Sequence, residues 1–332
     1  MVTPKNKEQK LILGVDLGGT KIATALATAQ GKILVRRRSS TPAQAGPDAV
    51  IKSICATIDR TLAAKTLEPS HLLGIAIAAA GIIDSDKGRV ISSPNLPGWH
   101  EVPLSDAIKQ RFGIPVYLGN DATLAALGEW RFGLKKGIAN LIYITVSTGI
   151  GGGIIADGKL YTGACGAAGE IGHMTIDVNG PKCNCGNIGC WETLASGTAL
   201  AREAVKQIAE GAETSIIELV NGDPSKIDAK VVDQAAKWGD ELAKELISRL
   251  GYYLGTGLVN LVNIFNPELI LIGGGVAKIG DSLLQPAIKV VKERAFSTLA
   301  NAVEIKPALL GDDSGLLGAA AFVLEQSKNC RR

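Results

Sequence analysis

Apolar residues along the chain fall into short runs separated by glycine-rich turns. Leu11–Val15 is one such run, and after a glycine turn it is followed by Lys21–Ala27 and then by Lys32–Val35. Apolar runs of this length around glycine predict a β-hairpin and a third strand. The pattern recurs where Leu141–Val146 precedes a glycine-rich turn and a returning strand at Ile154–Ala156. A strand–turn–strand unit that occurs twice predicts two related lobes.

The rest of the chain mixes helical and strand patterns. Helical spacing of apolar residues predicts helices near residues 46–64, 105–112, 122–131, 197–221, 229–238, 239–263, 282–295 and 315–326. Short apolar runs predict further strands at residues 72–78, 115–118, 268–272 and 303–308. This mixture predicts an α/β fold. Since no low-complexity linker separates the lobes, we expect them to pack around a cleft, where ligands usually bind.

Composition and charge narrow the classes of function. Hydrophobic residues make up 46% of the 332 residues and charged residues 20%, as in a globular protein of two domains or lobes. The 35 basic and 32 acidic residues balance too closely to indicate a nucleic acid or an anionic membrane as partner. The apolar run before Asp16 is too short for a signal peptide, and Leu72–Ile83 is too short to span a membrane. We therefore expect a cytoplasmic protein.

The first glycine turn has the residue types of a phosphate-binding loop. Gly18 and Gly19 would let backbone N–H groups approach a phosphate, and the Thr20 hydroxyl adds a donor before Lys21. Asp16, at the end of the strand, is a candidate ligand for a magnesium ion through water. The spacing is not that of a Walker loop. A plain hairpin turn is the alternative interpretation.

Two further glycine turns follow predicted strands. Thr145–Gly153 is rich in Gly, Ser and Thr, and it contains Thr148, Gly149 and Gly151. Facing the first turn, it would clamp a triphosphate between the lobes. Gly273–Gly275 lies between a strand and a helix, where the missing side chains would leave a flat wall for an adenine ring. Three unrelated structural turns are the alternative.

Gly119, Asn120, Asp121 and Ala122 lie where a predicted strand ends and a helix begins. Asp and Asn are both good helix N-caps, so capping is the structural interpretation of this motif. Its position between two phosphate-loop candidates favours a catalytic one, because a phosphoryl acceptor hydroxyl needs a carboxylate to orient it and accept its proton. We therefore predict that Asp121 is the catalytic base, with capping of its helix as a second role.

A cluster of cysteines indicates a metal site. Cys183, Cys185 and Cys190 fall within eight residues, and His173 precedes them. Three sulfurs and one imidazole fit a tetrahedral zinc ion. With four protein ligands, the site would be closed and structural rather than catalytic. The alternative is a loop of free thiols, which is uncommon for cysteines so closely spaced in a reducing compartment.

Polar residues near these motifs are candidates for sugar binding. Glu170 and Glu192 lie on either side of the cysteine cluster, where their carboxylates can accept hydrogen bonds from hydroxyl groups while zinc fixes the loop. Asn95, in a turn with prolines and a glycine, can both donate to and accept from a hydroxyl. The alternatives are solvated surface glutamates and a purely structural turn.

Taken together, the motifs resemble those of the ROK family (repressors, open reading frames and kinases), within the actin-like and hexokinase-like ATPase superfamily. The resemblance extends from about residue 11 to residue 325. It implies a two-lobed, ribonuclease H-like α/β fold with an interlobe cleft. The smaller lobe would comprise residues 1–119 and 312–332, closed by the C-terminal helix. The larger lobe would comprise residues 120–311 and carry the zinc-binding loop 173–190.

The resemblance also implies roles for individual residues. Asp121 looks like the catalytic base of the family, and His173 would use one ring nitrogen for zinc and the other for sugar. The implied sugar-binding residues are Asn95, Asn120, Asp121, Glu170, His173 and Glu192. The implied ATP-binding residues are Asp16, Gly18, Gly19, Thr20, Lys21, Thr148, Gly149, Gly151, Gly274 and Gly275, with magnesium accompanying ATP at Asp16. The implied zinc ligands are His173, Cys183, Cys185 and Cys190. Ala80 replaces a proline that family members often have, which affects no catalytic residue.

We therefore expect an ATP-dependent kinase that phosphorylates a hexose, with glucose as the leading substrate and glucose 6-phosphate as product. Kinases for N-acetylmannosamine, fructose or allose are alternatives. A transcriptional regulator is disfavoured because only thirteen residues precede Gly14, too few for a helix-turn-helix. A non-catalytic sugar sensor is disfavoured because Asp121 and both phosphate loops are intact. Family members are commonly homodimers or homotetramers, which we expect here.

Overall fold

Two five-stranded sheets form the framework of the chain. The computed structural model describes residues 10–134 and 137–329. The strands among these residues are β1 Leu11–Leu17, β2 Lys21–Ala27, β3 Ile33–Ser40, β4 Leu72–Ala79, β5 Ile82–Asp84, β6 Arg89–Ser92, β7 His100–Val102, β8 Val116–Asn120, β9 Leu141–Val146, β10 Ile150–Ala156, β11 Lys159–Tyr161, β12 Leu269–Gly273 and β13 Glu304–Pro307. The α-helices are α1 Pro47–Ala63, α2 Leu104–Phe112, α3 Asp121–Gly128, α4 Glu192–Ala195, α5 Gly197–Ala209, α6 Ile216–Leu219, α7 Ala229–Lys237, α8 Glu241–Phe265, α9 Asp281–Arg294, α10 Ser297–Ala302 and α11 Ser314–Asn329.

The first compact unit comprises Met1–Gly137, Leu160–Ala168 and Asp312–Arg332. Its main sheet has the order β3-β2-β1-β4-β8. The first three strands along the chain pair antiparallel, whereas β1, β4 and β8 run parallel. Helix α1 buries an apolar stripe that includes Ile54 and Ile58, in the same core as the strand residues. This stripe repeats at helical spacing, which is why the segment folds as an amphipathic helix.

Helix α11 packs against β1, β4 and α3 of the same unit. Glycine residues let α3 and α11 approach closely. A methyl group at Gly318 would lie 1.9 Å from the carbonyl oxygen of Leu124, and one at Gly128 would lie 2.6 Å from the carbonyl oxygen of Ser314. No side chain fits at either position, so the two helices meet backbone to backbone.

The second compact unit comprises Ile138–Lys159 and Gly169–Gly311. Its sheet has the order β11-β10-β9-β12-β13, in which β9 and β10 are antiparallel and β9, β12 and β13 are parallel. Helix α8 buries Leu254 and Leu258 in the core and packs against α9. A methyl group at Gly255 would lie 2.6 Å from the carbonyl oxygen of an α9 residue, so this helix pair is also close-packed.

The predicted repeat and the α/β class are confirmed. In each sheet, an antiparallel hairpin supplies the first of three adjacent parallel strands, which are β1, β4 and β8 in one sheet and β9, β12 and β13 in the other. The first unit includes α11, as the predicted limits of the smaller lobe do. It also includes α3, which the predicted limits assign to the larger lobe. The limits of the two lobes stay a prediction. None of the described helices is long and apolar enough to cross a membrane.

Two features differ from the sequence-based expectation. Strand β10 begins at Ile150, so Gly151 and Gly153 belong to the strand, and the second glycine turn contains only 147–149. A methyl group at Gly152 would lie 2.4 Å from the Ile171 side chain, so this strand glycine permits close packing. Strands β5, β6 and β7 form a small antiparallel sheet that was not expected. They have only three or four residues each, too few to produce a clear alternating pattern.

Candidate active site

Strands β1, β4 and β8 of the first unit end at the same edge of its sheet. Their parallel register aligns Asp16 with Ala78, and Ala78 with Gly119. Asp16 lies one residue before the end of β1, and Asp121 follows β8 as the first residue of α3. Both carboxylates therefore lie at the carboxyl ends of parallel strands, where open α/β sheets usually bind their ligands.

Asn120 makes the turn from β8 into α3. Its Oδ1 accepts the backbone N–H of Thr123 at 3.1 Å, and its Nδ2 donates to the carbonyl oxygen of Gly81 at 3.2 Å. The N-cap of α3 is therefore Asn120, and the expectation that Asp121 caps this helix is wrong. The physical reason is that Asp121 already has helical position N1, one residue too late for a cap.

The Asp121 carboxylate is held by backbone N–H groups. Its Oδ1 accepts the backbone N–H of Ala122 at 2.9 Å, and the N–H of Asp121 itself is a second donor. Burial raises its pKa, although these two N–H groups partly offset this effect. A carboxylate with a raised pKa that is oriented by its own backbone is suited to accept a proton from a hydroxyl group.

Asp16 has the character of a cation ligand. Burial, with a smaller contribution from the charge of Asp121, raises its pKa to about 6, while Lys21 and Arg38 partly offset the rise. No hydrogen bond from the part of the chain that is described reaches the Asp16 carboxylate. A carboxylate that is partly buried without a donor gains most from a nearby cation. Asp16 therefore fits the predicted role of a magnesium ligand, directly or through water.

The first glycine turn is tightly closed. The Gly18 N–H donates to the carbonyl oxygen of Lys21 at 3.0 Å, and the Thr41 hydroxyl donates to the carbonyl oxygen of Gly18 at 2.7 Å. The Gly18 N–H is thus engaged within the turn, while the Thr20 side chain is exposed. A methyl group at Gly19 would lie 2.7 Å from the backbone oxygen of Asn95. The fold therefore brings the predicted sugar-binding turn against the predicted phosphate-binding turn.

The second glycine turn, residues 147–149, is linked to Glu192. The Glu192 Oε2 atom accepts the backbone N–H of Ile150 at 2.9 Å, and a methyl group at Gly149 would lie 2.1 Å from this oxygen. The carbonyl oxygen of Thr148 accepts the Thr198 hydroxyl at 2.7 Å. One oxygen of Glu192 thus holds the turn in place. The sequence predicted only sugar binding for this residue.

The third glycine turn packs against the second. Parallel pairing of β9 and β12 brings their carboxyl ends together. Gly274 has a φ of +90°, and a methyl group there would lie 2.3 Å from the carbonyl oxygen of Val146. A methyl group at Gly275 would lie 3.7 Å from the Ser147 hydroxyl. Glycine at 274 is required both by the left-handed backbone and by the lack of space.

The predicted zinc ligands come together. One ligand atom from each of His173, Cys183, Cys185 and Cys190 lies within 4.8 Å of all the others. The Nδ1 atom of His173 is 3.6 Å from the sulfur of Cys183, and the sulfurs of Cys185 and Cys190 are 3.7 Å apart. Ligands around a tetrahedral zinc ion lie about 3.6–3.8 Å from one another, given the usual Zn–N and Zn–S bond lengths. The donor set and its spacing therefore fit zinc.

Polar groups surround this cluster. Burial raises the pKa of Cys190 to about 12, and the neighbouring thiols add to the rise, so without a cation this sulfur keeps its proton. Asn187 Nδ2 donates to the Cys190 sulfur at 3.3 Å, a hydrogen bond that favours the thiolate. The His173 Nε2 atom, on the side of the ring away from Nδ1, lies 3.8 Å from a carboxylate oxygen of Glu170. Sequence reasoning missed Asn187, although its position among the cysteines was a usable signal.

Two residues at the start of α11 and in its contact with the rest of the first unit belong to no sequence motif. Glu129 is completely buried, and its Oε1 accepts the Ser314 hydroxyl at 2.7 Å. Gly315 follows in the first turn of α11, where a methyl group would lie 3.6 Å from the carboxylate carbon of Asp16. A glycine in a helical segment is a recognised sign of close approach, so Gly315 could have been noticed from the sequence.

The two α/β units share one sheet topology, in which a glycine turn follows the first strand. Two such units define the class of hexokinase-like ATPases. The family model described as ROK family matches residues 12–326. The chain belongs to the ROK family.

Individual relatives agree with this assignment. The chain is 38% identical over 321 residues to a glucokinase of Halalkalibacterium halodurans, covering 96% of this chain and 97% of that protein. It is 35% identical to a xylose repressor of Caldicellulosiruptor bescii, covering 96% of this chain and 79% of that protein. The crystal structure of a ROK family glucokinase from Streptomyces griseus, in complex with glucose and AMPPNP, matches with a TM-score of 0.83 and 36% identity, covering 95% of this chain and 99% of that one. The predicted fold class is thereby confirmed.

Proposed function

We propose that the chain is an ATP-dependent glucokinase in which Asp121 is the general base. Asp121 accepts the proton of the glucose 6-hydroxyl as the hydroxyl oxygen forms a bond to the γ-phosphorus of ATP. The bond between that phosphorus and the β–γ bridging oxygen breaks, and ADP leaves. The observation that carries the proposal is the Asp121 carboxylate at the carboxyl end of β8, which backbone N–H groups orient and whose pKa burial raises.

Residues of the first unit support this reaction. The raised pKa of Asp121 favours proton acceptance, since a base is most effective when its pKa is closer to the working pH. Asn95, at the first glycine turn, is exposed and has an amide that can bind sugar hydroxyls. Asn120 uses one donor and one acceptor to hold the turn, which leaves its second N–H for the sugar.

Residues of the second unit have two proposed roles. Glu170 and the Nε2 side of His173 are proposed to bind sugar hydroxyls, in keeping with their half-exposed side chains. Glu192 has one oxygen on the second glycine turn, and its other oxygen is proposed to bind sugar. This double use supports a link between sugar binding and the position of the turn that is proposed to hold ATP.

The metal ions have separate proposed roles. Asp16 is the proposed ligand of a magnesium ion that would accompany ATP, and this ion would neutralise negative charge on the phosphates. A zinc ion held by the histidine and three cysteines would be structural, because all four ligands come from the protein. The ion would fix the loop that carries His173. A homodimer or homotetramer, predicted from the family resemblance, stays a prediction.

A coupled assay that detects ADP, run with glucose, N-acetylmannosamine, fructose and allose, tests the substrate. Replacing ATP with polyphosphate, with detection of glucose 6-phosphate, tests the donor. We expect the highest kcat/KM with glucose and ATP. The Asp121→Asn variant should lose about 10²–10⁴-fold in kcat because it lacks the base, with an unchanged circular dichroism spectrum. Wild-type kcat in this variant would refute the proposed mechanism.

The similarity to xylose repressors makes a DNA-binding regulator the second candidate. The balanced charge of the chain, 35 basic against 32 acidic residues, does not favour it. Electrophoretic mobility shift with sugar-operon promoter DNA at physiological salt distinguishes the two. Tight, sequence-specific binding together with no turnover of any hexose would favour the regulator.

A further inference from the structure

Gly315 is placed where a side chain would alter the surroundings of Asp16. A methyl group at Gly315 would lie 3.6 Å from the carboxylate carbon of Asp16 and 3.7 Å from its Oδ1. These are ordinary van der Waals distances, and they are the shortest contacts that such a methyl group would make. The space in front of the carboxylate is therefore open at Gly315, and alanine would occupy part of it without a clash.

The position of Gly315 is fixed from two sides. The preceding residue, Ser314, donates its hydroxyl to the fully buried Glu129 at 2.7 Å. One turn further along α11, Gly318 meets the backbone of α3 so closely that no side chain fits. The first turn of α11 therefore cannot easily move away from Asp16 to accommodate a larger group.

We propose that Gly315, anchored through Ser314 and Glu129, is a positioning residue that keeps room for a hydrated divalent cation at Asp16. This inference rests on the proposed role of Asp16 as a magnesium ligand. Magnesium retains several of its waters in protein sites and requires near-octahedral geometry, so a ligand that binds it through water needs empty space beside its carboxylate. A side chain at position 315 would displace those waters while leaving the carboxylate itself in place.

The Gly315→Ala variant tests whether Gly315 keeps room for the hydrated cation or only supports the packing of α11. Gly315 has a helical backbone without a positive φ, so alanine suits the backbone and should leave Tm equal or higher. Calorimetry with AMPPNP would measure the dissociation constant with magnesium and in magnesium-free buffer without a chelator. We expect at least about fivefold weaker binding in magnesium, and less than about twofold weaker binding without it.

A double-mutant cycle with Asp16→Asn completes the test. Once Asp16 no longer recruits magnesium, adding Gly315→Ala should have no further effect on magnesium-dependent binding. If AMPPNP binds the wild type equally with and without magnesium, or binds Asp16→Asn like the wild type, the magnesium role of Asp16 is refuted. If that role holds and Gly315→Ala binds like the wild type, weakens binding equally without magnesium, or lowers Tm by more than about 5 °C, the inference about Gly315 is refuted.

Discussion

The Asp16 carboxylate lies where its charge is disfavoured, and Asp16→Asn measures how much folding free energy this costs. Burial and the charge of Asp121 raise its pKa from the ordinary value of 3.8 to about 6, although Lys21 and Arg38 act in the opposite direction. The folded protein therefore binds this proton more tightly than the unfolded chain does. It follows that Asp16 makes the protein less stable as the pH rises from about 4 to above 6.

The size of the effect follows from the two pKa values. The difference between 3.8 and about 6 corresponds to about 3 kcal/mol of unfolding free energy near pH 8. Asparagine has nearly the same size and cannot ionise, so the variant should avoid this cost. The entropy of unfolding is about 2.1 cal/mol/K per residue, so for 332 residues a gain of this size raises Tm by about 4 °C. Near pH 3.5 the carboxyl is largely protonated in both states, and most of the gain should be absent.

Thermal unfolding of the wild type and Asp16→Asn in magnesium-free buffer without a chelator, at a series of pH values, measures the gain. Asp86→Asn, which removes an exposed carboxylate of the same unit, controls for the general effect of losing one negative charge. Asp16→Asn should also lose kinase activity, so stability and activity change in opposite directions. A gain in Tm that does not depend on pH, or a loss of Tm near pH 8, would refute the burial argument.

Three other substitutions test separate parts of the molecule. Gly318→Ala would place a methyl group 1.9 Å from the Leu124 carbonyl oxygen, so denaturant unfolding should show a loss of at least about 2 kcal/mol; unchanged stability would contradict the close helix contact. Gly149→Ala would push against Glu192, so KM for ATP should rise about tenfold or more while circular dichroism stays unchanged, and a wild-type KM would count against the second turn as an ATP site. Cys185→Ser should reduce bound zinc, measured by metal analysis, and make Tm insensitive to a chelator; equal zinc in variant and wild type would contradict the assigned ligand.

The elements that could be predicted from sequence are those whose signal is local. The hairpin at residues 11–38 and its repeat at 141–156 are patterns within a few residues, and both appear in the sheets. The small sheet of β5, β6 and β7 was missed because its strands are too short to show a period. The glycines at 151–153 predicted a longer loop, but they lie in strand β10. The packing of Ile171 against Gly152 comes from a segment about twenty residues away, which a local pattern does not show.

The site could be predicted as far as its chemistry depends on residue type. The carboxylates and the cysteine cluster are visible in the sequence because few other residues can do what they do. Whether Asn120 or Asp121 caps the helix depends on the exact residue at which the helix starts. Helix boundaries cannot be predicted from sequence to within one residue. Gly315 approaches Asp16 only because the last described helix packs on the first strand. A glycine in a helical segment signals close approach to something, but not that its neighbour is Asp16.

Helix α11 is synthesised long after the strands on which it packs. At 5–20 residues per second, about 10–40 s separate the end of β8 from the start of α11 on the ribosome. The second unit contains no residue beyond Gly311, so its whole sequence is available earlier. The nascent chain thus holds its first strands without their covering helix for most of translation, and the apolar face that α11 covers stays exposed during that time. The part of the molecule that carries Asp121 is the last to be completed.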